Sequence, residues 1–171
     1  MAGVGQTLGS VCVVRVREFC VQIDPEAYAT LRRHGEEVYP EESCGVLVGR
    51  FRDGGCVVVS AIRCENARRD SPRNRYAIDP KELIRIQREA RERGWEILGF
   101  YHSHPDHPAE WSSTDLAEAH WVGCSYLITA VGSGRAGETR SFRLEGSWDE
   151  KRFVEEAVGE EGDIGRAGRK G

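Results

Sequence analysis

Apolar and polar positions follow two periods along this chain, and each switch between them marks an element. Asp24-Pro25 opens a helical stretch: aspartate caps, proline suits the first helical position, and Ala27 and Leu31 begin an apolar stripe that Gly35 is expected to end near Tyr39-Pro40. Strand-like runs follow over residues 45–51 and 56–63, joined by the hairpin signal Asp53-Gly54-Gly55. A second aspartate-proline start, Asp79-Pro80, leads a helix through Leu83, Ile84, Gln87 and Ala90 that Gly94 terminates. Residues 96–102 then read as a strand, a helix begins at Ser113, and strands are expected over 124–131 and 139–144. A short final helix is expected over 149–158. At the ends, glycine-rich residues 1–10 read as a flexible segment and 11–16 as an opening or extra strand, while 159–171 lack apolar periodicity and read as a disordered tail.

Strands interspersed with helices, two of them hairpin-linked, predict an α/β (α+β) domain over residues 11–158, built on a mixed, largely antiparallel sheet flanked by helices. The length, 171 residues with 39% hydrophobic, suffices for one core. A formal charge of -4 argues against nucleic acid as a primary ligand, because phosphate binding needs clustered positive charge. Arg63, Arg68, Arg69, Arg73 and Arg75 form a local exception, read as a solvated loop with a small basic patch as the alternative. No segment approaches the roughly 18 apolar residues of a membrane span, and Val11 to Val14 is too short and too soon followed by Arg15 for a signal-peptide core, so a cytoplasmic location is expected. The six cysteines show neither CxxC spacing nor the density of a secreted scaffold, so reduced thiols are the default.

The chemistry concentrates in His102-Ser103-His104-Pro105. On an extended segment the side chains of a His-x-His pair share one face, so both imidazoles can grip one ion. Ser112-Ser113-Thr114-Asp115 follows as a helix start, with serine three residues before an acid, and places Asp115 in the first turn, able to point back at the histidines. Two neutral imidazoles and a carboxylate leave a tetrahedral zinc ion one open position, which is the catalytic arrangement. Such a site also needs a carboxylate to move protons. Glu42, at the head of a polar-to-apolar run ending in Gly49, is a candidate, and pattern alone does not choose it over Glu41.

The spacing H-x-H-x7-S-x2-D, with P-x-E-x-C-G-x-L-x-G upstream, resembles the motif of the JAMM (MPN-plus) zinc metallopeptidases over roughly residues 16–147. The resemblance implies a cytidine-deaminase-like architecture and one zinc ion per chain, held by His102, His104 and Asp115. It further implies Glu42 as general base and acid, and Ser112 as the group that steadies the attacking water and the oxyanion. The implied partner is a ubiquitin-like or sulfur-carrier β-grasp protein, cut after its C-terminal Gly-Gly, with the extended tail adding as a strand beside the active-site sheet. The short spacing between Gly49 and His102 favours the short prokaryotic type that trims sulfur carriers. The alternatives are an isopeptidase acting on lysine conjugates and a non-catalytic MPN scaffold, although scaffolds of this kind usually lack a ligand.

Blander readings stand beside these. The histidines could be satisfied strand residues, Ser112 and Asp115 a helix cap and first-turn acid, and Glu42 a surface acid. Cys44, beside Glu42, reads as packing, not as a nucleophile. His107 and Glu110 flank the metal motif and either steer substrate or face solvent.

Overall fold

The computed structural model describes residues 19–160; the expected N-terminal segment and extra strand, and most of the expected tail, lie outside them. Seven strands and three helices follow in the order β1 (Cys20–Ile23), α1 (Pro25–Val38), β2 (Cys44–Arg52), β3 (Gly55–Cys64), α2 (Pro80–Glu92), β4 (Glu96–Pro105), α3 (Ser113–Glu118), β5 (Ser125–Gly132), β6 (Arg135–Glu145) and β7 (Arg152–Glu160). The strands lie in the order β1-β3-β2-β4-β5-β6-β7 and close on themselves through a β1–β7 pairing. Pairing is mixed: β2–β3, β2–β4, β5–β6 and β6–β7 run antiparallel, while β1–β3, β1–β7 and β4–β5 run parallel.

Strand alternation divides the core between the helices. Val46 and Val48 join Phe100 and the α2 residues Ile86 and Ala90, while Leu47, between them, joins Leu98, Tyr101 and the α1 residues Ala27 and Leu31. Both aspartate-proline starts cap as expected: Asp24 accepts from the backbone N–H groups of Glu26 and Ala27, and Asp79 from that of Lys81.

Two elements depart from the sequence expectation. Gly35 does not end α1 but lies inside it, where an added methyl would stand 3.0 Å from Val131 Cγ2 and 3.2 Å from Ser103 Cβ. Its bare backbone lets the helix approach β4 and β5. The expected final helix is instead β7. Its Glu-Glu-Ala composition suits a helix, but pairing to β6 and β1 closes the sheet, Phe153 packs on Phe142 and Tyr126, and Ser141 donates to the buried Glu156 carboxylate at 2.7 Å. Closure also limits the edge on which a tail could add. Near the histidines, β2 pairs with β4 only as far as Cys44↔His102, and beyond this register His104 and Pro105 pair with β5 alone.

The motif glycine Gly45 has a steric explanation. A methyl there would fall inside contact distance of the Tyr101 ring and of the Ile62 carbonyl oxygen, and Tyr101 is fixed by a 2.8 Å hydrogen bond to His34 Nδ1. Gly45→Ala is therefore expected to destabilise the protein by about 3 kcal/mol, measured as a shift in urea midpoint at unchanged slope. Wild-type stability would contradict this packing.

Candidate metal centre

β4 runs three residues further than expected and carries both histidines, with His102 and His104 buried. Their Nε2 atoms lie 3.0 Å apart on one face of the strand. Asp115, in the first turn of α3, places Oδ1 3.3 Å from His102 Nε2 and Oδ2 3.5 Å from His104 Nε2. The helix is anchored by a capping box: Ser112 Oγ accepts from Asp115 N at 3.1 Å, and Asp115 Oδ2 accepts from Ser112 N at 2.6 Å and from Ser112 Oγ at 2.7 Å. The cap and the cluster thus share one carboxylate, and Ser112 sets the orientation of Asp115.

These separations fit a zinc ion. Tetrahedral bonds of roughly 2.0–2.1 Å put neighbouring ligand atoms about 3.3 Å apart, and the donor set of two imidazoles and a carboxylate is a catalytic one. Among the described residues this is the group of three His, Cys, Asp or Glu side chains able to hold a metal, and His107 does not join it. The tautomer of His104 agrees as well. His104 Nδ1 lies 3.0 Å from the Pro108 carbonyl oxygen, so Nδ1–H donates there and leaves the Nε2 lone pair facing the cluster.

At His102 and Asp115 the electrostatics favour ligation too. Burial holds His102 below its ordinary range despite Asp115 beside it, which keeps the imidazole neutral. For His104 burial also works downward, but Asp115 outweighs it and the shift is upward. Asp115 is pushed up by burial and pulled down further by the two imidazoles beside it, His102 and His104, which hold it well below the usual carboxylate range.

Glu42 lies just before β2, its side chain buried and its Oε2 without a hydrogen-bond partner among the described residues. Ser43 N donates to Ser103 Oγ at 2.9 Å and Ser103 N to the Ser43 carbonyl at 3.2 Å, which locks the Glu42 segment to the residue between the two histidines. Glu42, His104 and Ser112 line a common cavity of about 430 Å³, together with His107, Glu110, Trp111 and Arg73. His107 and Glu110 therefore border the site, although Glu110 also pairs with Arg140 at 3.2 Å.

Burial, reinforced by Asp115 and Glu118 and opposed by His104, pushes the Glu42 carboxyl from 4.5 up to about 8. In chelated protein the native state then keeps a proton that the unfolded chain releases above pH 4.5. Stability accordingly falls as pH rises from about 4.5 to 8, with a slope of up to about 1.4 kcal/mol per pH unit. Glu42→Gln, neutral throughout, should remove that component, so the variant gains on wild type between pH 5 and 8 in urea denaturation with chelator. Parallel pH curves would refute the buried, protonated carboxyl.

Other sequence readings resolve differently. Cys44 is buried in the α2-side core and burial raises its thiol far above the ordinary range, as a packing residue requires. The arginine-rich stretch is mostly neutralised: Arg63 pairs with Glu37, Arg69 with Glu65, and Arg68 and Arg75 both with Glu118. Spacing gave no sign of Tyr76, whose ring stacks on His102 with centroids 4.7 Å apart. The carbonyl of Pro108 was equally invisible, since a backbone partner depends on how the loop returns to the strand.

A closed mixed sheet that presents two strand histidines to a capped helix aspartate defines an α+β domain with a candidate metal centre. Residues 24–145 match the family described as prokaryotic homologs of the JAB domain, and the chain belongs to that family. It is 38% identical over 89 residues to a desampylase of Haloferax volcanii, and 33% identical over 105 residues to a probable TtuB-protein conjugate cleaving protease of Thermus thermophilus. Those alignments cover 52% and 61% of this chain, and 62% and 66% of the two relatives, less than two thirds of each. A solution structure of a protein from Desulfitobacterium hafniense superposes with a TM-score of 0.71 at 27% identity, covering 82% of this chain and 92% of that one. Another, from Salinibacter ruber, gives 0.60 at 33% identity, covering 81% and 91%.

Proposed function

We propose that this protein is a zinc-dependent hydrolase that cleaves the bond following the C-terminal Gly-Gly of a ubiquitin-like or sulfur-carrier β-grasp protein. The observation that carries the reading is the meeting of three ligand atoms with a buried Glu42 carboxyl and with Ser112 at one cavity. Bound zinc would supply Lewis acidity and a water acidic enough to ionise near neutral pH.

The chain's own residues do the rest. His102, His104 and Asp115 hold the ion. Glu42 removes a proton from the attacking water and delivers it to the departing amine, a task for which a carboxyl raised toward neutrality is suited. Ser112 has a single hydroxyl hydrogen, given to Asp115 Oδ2 here. It can steady an oxyanion only by releasing that bond, so its two roles alternate.

The names of the two curated relatives, a desampylase and a conjugate cleaving protease, support a ubiquitin-like substrate and favour a second reading of the bond: an isopeptide to lysine instead of a linear extension. Both kinds of substrate can be built on one carrier. Trimming predicts faster cleavage of the linear extension, isopeptidase action faster release from lysine, and cleavage of neither by zinc-loaded protein would defeat the proposal in favour of a scaffold.

A further inference from the structure

We propose that Asn66 is a positioning residue for Glu42, acting through the loop of residues 65–79 between β3 and α2. The inference rests on the reading of Glu42 as general base and acid.

Asn66 stands at the neck of this loop and its side chain spans it. The amide oxygen accepts from Arg68 N at 3.0 Å and from Ala77 N at 3.2 Å, and the amide nitrogen donates to the Arg75 carbonyl at 3.0 Å and, at a longer 3.5 Å, to the carbonyl of Glu42 itself. Two N–H groups face the oxygen and two carbonyls face the nitrogen, so a flipped amide would oppose all four contacts and the orientation is fixed. A backbone bond from Ala67 N to the Ala77 carbonyl, 2.8 Å, closes the neck beside it.

Held in this way, the crown of the loop returns Pro72 to Glu42, whose N–H donates to the Pro72 carbonyl at 2.8 Å. Both backbone polar groups of Glu42 are thus tied to the loop, one through Pro72 and one through Asn66. The carboxyl has no comparable anchor at Oε2. Its place over the cavity is therefore inherited from the backbone, which the loop holds on one side and the Ser43–Ser103 bonds on the other. The same stretch has further anchors that do not pass through the Asn66 side chain: Arg68 and Arg75 on Glu118, and Tyr76 on His102. Losing Asn66 should therefore disturb the Glu42 side and spare the metal ligands.

The test compares wild type, Asn66→Ala, Asn66→Asp and Glu42→Gln as full-length proteins. Each is given saturating amounts of a β-grasp carrier extended by a short peptide beyond its Gly-Gly, with zinc content and melting temperature measured in parallel. Misplacing a catalytic group by about 1 Å costs on the order of 100-fold, so both Asn66 variants should lose roughly 10- to 100-fold in kcat with zinc retained. Asn66→Asp keeps the acceptor bonds from Arg68 and Ala77 but turns an oxygen toward the Arg75 and Glu42 carbonyls. Its melting temperature should therefore stay closer to wild type than that of Asn66→Ala, with kcat no better.

A merely structural role predicts that kcat follows melting temperature across the two variants, and that result would overturn the proposal. Wild-type kcat in Asn66→Asp, or zinc loss that accounts for the lost activity, would overturn it as well. If Glu42→Gln turns over like wild type, the reading of Glu42 fails and this inference falls with it. If Glu42→Gln is impaired and both Asn66 variants are not, the inference alone fails.

Discussion

Glu42→Gln is expected to lower kcat by about 100- to 10,000-fold while zinc content stays at the wild-type level. The glutamine preserves shape and can still donate and accept hydrogen bonds, but it cannot take a proton from water or deliver one to an amine. Because Glu42 is not one of the three clustered donors, its loss should leave the ion in place. The variant therefore separates binding from chemistry. Elemental analysis beside a single-turnover assay reads both, and a variant that loses zinc in proportion to activity would make Glu42 a ligand instead of a base.

His104→Ala is the complementary case. It removes the donor that sits 3.0 Å from His102 Nε2 and 3.5 Å from Asp115 Oδ2, leaving two ligands where a catalytic zinc needs three. Activity should fall to background and zinc should not survive dialysis. Stability provides an independent readout. A ligand at 100 times its dissociation constant stabilises the native state by about 2.7 kcal/mol, so added zinc should raise the wild-type melting temperature and leave that of His104→Ala unchanged. An equal zinc-induced shift in both proteins would place the ion elsewhere.

How far the sequence anticipated this site follows from the range of the interactions involved. The histidine pair is legible because a strand repeats every two residues, and the Ser112–Asp115 contact because a capping box is local to one turn. Asp79-Pro80 was legible for the same reason. Glu42 was not, since its distance from His104 in the chain is closed only by β2–β4 pairing, and pattern alone could not separate it from Glu41; the family motif did. Asn66 and Tyr76 were hidden in a stretch whose charge suggested solvent, because their partners come from a loop returning on itself and from the face of His102.

The two misread elements have one cause. Gly35 carries the composition of a helix end and residues 149–158 that of a helix, and each is overruled by what packs beside it. For Gly35 the neighbours are Ser103 and Val131, and for β7 they are β6 and β1. Local propensity amounts to about 1 kcal/mol per residue or less, too little to resist sheet closure.

The most direct test of the central claim is the intact mass of a β-grasp carrier, extended by a short peptide beyond its Gly-Gly, after incubation with protein of known zinc content. Stoichiometric zinc and a single product ending in Gly-Gly are expected, with no such product after chelation and its return when zinc is restored. An unchanged carrier mass with stoichiometric zinc bound, for the linear extension and for the lysine conjugate alike, would contradict it.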